Sequence, residues 1–89
     1  MMDKAAFRQQ LDQDGFNEPG TVTWAPNHEN PSHTHDFTAR GLILSGSFAL
    51  GCHGGSTTYQ QGDVFELKAG TPHTETAGPD GASFLVGRK

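Results

Sequence analysis

The chain has little with which to hold a large core. It has one cysteine in 89 residues, Cys52, which excludes an internal disulfide framework. Lysine and arginine total six against ten acids and form no cluster, so no phosphate-binding face is expected and nucleic acid is not a partner. No apolar run approaches the ~20 residues of a spanning helix. The opening "MMDKAAFRQQ" carries no apolar signal segment, so no membrane partner and a cytoplasmic location are the expectation. Leu, Ile, Val and Phe number 16 of 89, close to the level of disordered chains, but the net charge of −4 is too small for self-repulsion. So thin a core calls for a metal ion or a second subunit. A symmetric homodimer is therefore expected, and the five histidines bring metal to the front.

What the chain does have is punctuation. Twelve glycines and five prolines, spread along its length, mark tight turns between short strands. "DKAAFRQQLDQDGF" reads as one short helix, with Asp3 as its cap, Phe7 and Leu11 on one face and Gly15 as its stop. No second helical pattern follows. "TVTWA" (21–25) reads as a strand and "NHENPS" (27–32) as loop. "FTARGLILSGSFALGC" (37–52) reads as two strands meeting at a turn near Ser45 and Gly46. "STTYQ" (56–60) and "DVFEL" (63–67) follow as strands, then "PHTETA" (72–77) and "ASFLVG" (82–87), parted by a "GPDG" turn. Such spacing predicts an all-β fold, a small antiparallel barrel or sandwich. Residues 1–20 are expected to form a helix and lead-in, and 21–89 a single β-barrel domain.

The chemistry begins at "HTHDF". On a strand, side chains at i and i+2 share a face, which puts His33 and His35 side by side, roughly 6–7 Å apart at the backbone. In "QGDVFELKAGTPHTETAG" (61–78) a strand, a turn at 68–70 and a new strand bring in His73, which an antiparallel barrel can return beside that pair.

These stretches resemble the two motifs of the cupin superfamily, small jelly-roll barrels. "HTHDFTARGLILSG" supplies the histidine–x–histidine and the later glycine as His33, His35 and Gly46, and "GDVFELKAGTPH" supplies Gly62, Gly70 and His73. The resemblance spans about residues 21–87. It departs at three positions: Arg40 stands where the family glutamate would fall, Lys68 where its proline would, and Ala77 where a later asparagine would.

His33, His35 and His73 fit three-histidine ligation of a divalent transition metal: zinc, nickel, iron, manganese or copper. Glu75 shares the face of His73 and is a candidate for the missing carboxylate, although the expectation is a glutamate facing solvent. His28 is expected to be a solvated loop histidine, with approach to the metal as the alternative. Arg40 cannot ligate; alternation from His35 turns it outward, the alternative being an inward guanidinium that grips a substrate carboxylate. Cys52 is expected to be buried, His53 to sit in a turn, and Trp24, Phe48, Phe65 and Phe84 to form core or pocket wall. The resemblance implies a metal-dependent enzyme, dioxygenase- or isomerase-like, acting on a small polar or carboxylate-bearing molecule. The alternatives are a non-catalytic sensor or storage module binding a small-molecule ligand or metal, and a metal-free structural barrel.

Overall fold

Asp3 caps the helix through its Oδ1, which accepts from the amide of Ala6 at 2.8 Å. That helix, α1 (Lys4–Gln13), stops at Asp14, and Gly15 follows with φ +81°, a left-handed value that suits glycine. In this computed structural model, which describes residues 2–52 and 54–89, six strands follow. They are β1 (Gly20–Trp24), β2 (Glu29–His33), β3 (Ala39–Cys52), β4 (Gly55–Gln60), β5 (Val64–Leu67) and β6 (His73–Arg88), and every pairing is antiparallel.

The strands β3 and β6 organise the molecule. They pair along nearly their whole length, from Ala39 with Arg88 to Gly51 with Thr74. The first half of β3 pairs β5 and the last half of β6 pairs β1; the other halves pair β4 and β2. The result is two antiparallel layers, β1–β6–β3–β5 and β2–β6–β3–β4, sharing two long bent strands. This is the all-β jelly-roll expected from the sequence, with its one short helix.

Two expected turns are bends instead. The register of β3 against β6 shifts between Ile43 and Ser45 and again between Gly46 and Phe48, and the chain continues as one strand. Gly46 (φ +73°) pairs with Ala82 at this corner, next to Gly81 (φ +77°). A Cβ on Gly46 would collide with the carbonyl oxygen of Gly81, and one on Gly81 with the carbonyl oxygen of Trp24. So β3 approaches β6 this closely because Gly46 has no side chain, and β6 the end of β1 because Gly81 has none. A bulged corner of this kind turns a strand from one layer into the other without breaking the ladder.

The core divides accordingly. Between the layers lie Ile43, Phe48, Leu50, Phe65, Ala77, Ala82 and Phe84, with Trp24 packed against them. Phe48 and Phe84 sit 5.2 Å apart, and Trp24 meets each at 5.2 Å. Outside the first layer, α1 lays Phe7 and Leu11 on Leu42 and Leu85, closed by Phe16. Each such burial contributes about 1.5–3 kcal/mol. The expected loop at 27–32 is a further correction: Glu29–His33 is a strand paired with β6. Cys52 is half-exposed rather than buried. His53, expected in a turn, lies outside the described residues.

Candidate metal centre

The register of β2 on β6 builds the site. Asn30 pairs with Glu75 and His33 with His73, and the register shifts between them. Three steps on β2 oppose two on β6. Without the extra residue, Asn30 and His33 would point to opposite faces; the bulge at Pro31–Ser32 puts both on the face of Glu75 and His73. Proline is tolerated there because a bulge needs no ladder donor.

At the end of this ladder the rings of His33 and His73 lie with centroids 4.4 Å apart. His35, just past the end of β2, lies 4.8 Å from His33 and 5.0 Å from His73. The strand expected to carry both histidines therefore ends at His33, but the chain two residues further on still brings His35 to the cluster. Glu75 joins them. Its Oε1 is 3.1 Å from Nε2 of His33, and its side chain is 13% exposed. Glu75, expected to face solvent, turns inward instead, because two residues from His73 on β6 it shares that histidine's face. One donor atom from each of His33, His35, His73 and Glu75 lies within 4.8 Å of the others.

The imidazoles are oriented from behind. Nδ1 of His33 donates to the carbonyl of Pro31 at 2.7 Å, and Nδ1 of His73 to that of Thr71 at 2.9 Å. A carbonyl only accepts, so the proton of each neutral ring is at Nδ1 and the Nε2 lone pair is directed into the cluster. His73 is fully buried, and its Nε2 has no hydrogen-bond partner among the described residues. Glu75 Oε2, at 3.6 Å, is too far to serve. An unpaired buried acceptor is costly, and a cation bound among these atoms would remove that cost. Three imidazole nitrogens and a carboxylate are the donor set that divalent transition metals take.

Burial pushes the pKa of His35 down, and the neighbouring His33 and His73, when charged, push it the same way, as does Arg88; Glu75 opposes them. The net effect favours the neutral, ligating form.

Asn30 supports the carboxylate. Its Nδ2 donates to Glu75 Oε1 at 3.2 Å, and its Oδ1 is 3.0 Å from Nε2 of His28. His28 is exposed, packs its ring 5.3 Å from Trp24, and lies outside the cluster. Nothing in "NHEN" singles out Asn30, because its face depends on a bulge that shows only in the pairing. Arg40 stands on the outer face, against α1. It is bonded to Asp14 and, at 2.8 Å, to Glu66, and it lies 4.6 Å above the ring of Phe16. The hydrogen bond it donates to Asp14 leads in raising its pKa, so it is a fixed structural cation outside the histidine cluster.

A jelly-roll enclosing three histidines and a carboxylate at the end of one strand ladder defines a small barrel protein with a candidate metal centre. The family model described as cupin domain matches residues 20–86, and the chain belongs to the cupin superfamily. Among solved structures it is similar to KdgF from Halomonas sp. (21% identity, TM-score 0.64, 76% of this chain and 64% of that one). It is similar also to an oxalate decarboxylase variant from Bacillus subtilis (22%, 0.69, 78% and 20%) and to the cupin domain of Cnp3 from Schizosaccharomyces pombe (14%, 0.70, 82% and 58%). The chain spans less than two thirds of each of these three, and at such identities the likeness is one of fold. No curated protein matches the chain. No described helix is long and apolar enough to cross a membrane.

Proposed function

We propose that the chain holds one divalent transition metal ion through Nε2 of His33, His35 and His73 and the carboxylate of Glu75, and that it is a metal-dependent enzyme acting on a small polar or carboxylate-bearing molecule. The observation that carries this reading is the buried Nε2 of His73, which lacks a partner and faces the other three donors. Structures of Bacillus subtilis oxalate decarboxylase, a neighbour by fold, are described by their Mn(II) centres, which supports a divalent ion in this donor set.

The protein's part in the chemistry is positional. Pro31 and Thr71 carbonyls hold two rings in the ligating tautomer, and Asn30 holds Glu75. The bound ion supplies Lewis acidity toward an oxygen donor. Beside the cluster, His35 and Glu75 face a cavity walled by Trp24, Phe37, Phe65 and Phe84, which excludes bulk water from one side. A homodimer is part of the same reading. β1, β2, β4 and β5 each have one paired edge, and a second copy covers such edges most simply.

Elemental analysis of protein purified without added metal tests the centre. Near-stoichiometric metal is expected in the wild type and none in His35→Ala; full metal in that variant refutes the ligand set. Turnover of a panel of small acids by the loaded protein then separates an enzyme from a storage or sensor module. Light scattering at tens of micromolar is expected to return twice the chain mass, and a monomer rules out the dimer.

A further inference from the structure

The cavity beside the cluster has a volume of about 170 Å³. A dry protein cavity of about 150 Å³ takes one benzene ring. Its wall is mostly apolar: Val22, Trp24, Phe37, Phe65, Phe84 and Val86 all contribute. One exposed cation, Arg88, the last residue of β6, also lines it. The guanidinium carbon of Arg88 stands 4.5 Å from the centroid of Phe37, and Phe37 in turn stacks on His35 at 4.7 Å and 22°. Among the described residues no carboxylate lies within ion-pair distance of Arg88, whereas Arg8 is paired with Glu18 and Arg40 with Asp14 and Glu66.

An arginine of this kind is partly prepared for an anion. Stacking on Phe37 occupies the flat face of the guanidinium and restrains its rotamers, while the N–H edge stays available for a two-point grip on a carboxylate. The other charged group of the wall, Glu75, is turned to His33 at the inner end. Both charged groups thus line one mostly apolar space. An acid entering this space gains at the outer edge beside Arg88 and is repelled by the carboxylate of Glu75 when no cation offsets it.

We propose that the cavity binds an organic acid about the size of one ring, with its apolar body between the aromatic walls and its carboxylate on the guanidinium of Arg88. The proposal names the substrate class of the metal site described above, and it rests on that reading for treating this cavity as the substrate's.

Calorimetric titration with benzoate and with its neutral isostere benzamide tests it, on wild type and Arg88→Gln, each with metal and after chelation. Arg88 is exposed, so the variant should keep the wild-type thermal midpoint. Chelated wild type should bind benzoate at least about fivefold tighter than benzamide, and Arg88→Gln should erase that preference while leaving benzamide affinity unchanged. Equal affinity for acid and amide in the wild type overturns the proposal, as does failure of both to bind. A preference that survives Arg88→Gln and vanishes on chelation also overturns it, because the acid is then held by the metal. Loss of preference in Arg88→Gln from a protein that takes up no metal upholds the acid site and refutes only the metal reading.

Discussion

His33 and His73 are direct partners in the β2–β6 ladder, with ring centroids 4.4 Å apart and each Nδ1 donating to the carbonyl two residues before it. The same local device, used on both strands, aims two lone pairs at one place. With His35 and Glu75 the group forms a donor set whose affinities can be measured residue by residue.

Glu75→Gln is expected to weaken metal binding by at least about 10- to 100-fold, since even supporting groups at metal sites carry effects of that size. Asn30→Ala, which removes the donor to Glu75 Oε1, should weaken it by about tenfold. Competition titrations against a chromogenic chelator read both. Wild-type affinity in Glu75→Gln means that the carboxylate plays no part.

Metal should stabilise the fold in step with its affinity, because the donors converge only when β2 and β6 are paired. Saturating metal at about 100 times the dissociation constant should add about 2.7 kcal/mol to unfolding, seen as a higher thermal midpoint. In His73→Ala the midpoint should not respond to metal.

The metal-free protein should lose stability as pH falls below about 6.5, the ordinary imidazole value. Folding depresses the pKa of His35, chiefly through burial. The unfolded chain therefore takes up a proton that the folded chain refuses, and stability is present above that pH and lost beneath it. Denaturant midpoints of chelated wild type and His35→Gln, compared between pH 7.5 and 5.5, should show a shallower decline in the variant. Identical slopes exclude His35 as a source.

Gly46→Ala should destabilise the protein by about 2 kcal/mol or more, combining a left-handed backbone with a clash. The clash is with backbone, the carbonyl oxygen of Gly81 at 2.0 Å, and cannot be relieved by a rotamer change. Urea unfolding measures it. A loss below about 0.5 kcal/mol would show that the corner relaxes.

Much of the architecture is legible in the sequence. Asp3 and Gly15 bound the helix, Phe7 and Leu11 supply its buried face, and alternation around "DVFEL" marks β5. The histidine–x–histidine and the later proline–histidine announce their cluster through their resemblance to the two family motifs, although His35 lies past the strand's end rather than on it. What escapes is whatever depends on partners. Pro31 and its polar neighbours read as loop, yet they form a bulged strand held by β6. Gly46 and Gly81 read as turn glycines, yet each lies within a continuous strand and leaves room for a neighbouring carbonyl, that of Gly81 and that of Trp24 respectively. Asn30 could not be assigned a face because one inserted residue in β2, visible only in the pairing, decides it. Glu75 shares the face of His73 by spacing alone, and what the sequence hides is that this face turns inward at its position. Arg40 does face outward as alternation from His35 predicts, although residues 34–38 are not strand and only Ala39–Leu42 pair with β5 without a bulge.

The two long strands also govern time. Ala39 meets Arg88 and Gly51 meets Thr74, so the defining contacts join residues far apart along the chain. Topologies of this kind close large loops before any reward arrives and fold over milliseconds to seconds. β2 adds to β6 with His33 and His73 at the ladder's last rung, where a transition state that orders the central strands first leaves them apart. On that order of events, an ion captured there would arrive after the barrier has been crossed. It would scarcely change the rate of folding and would act almost wholly by slowing escape from the native state.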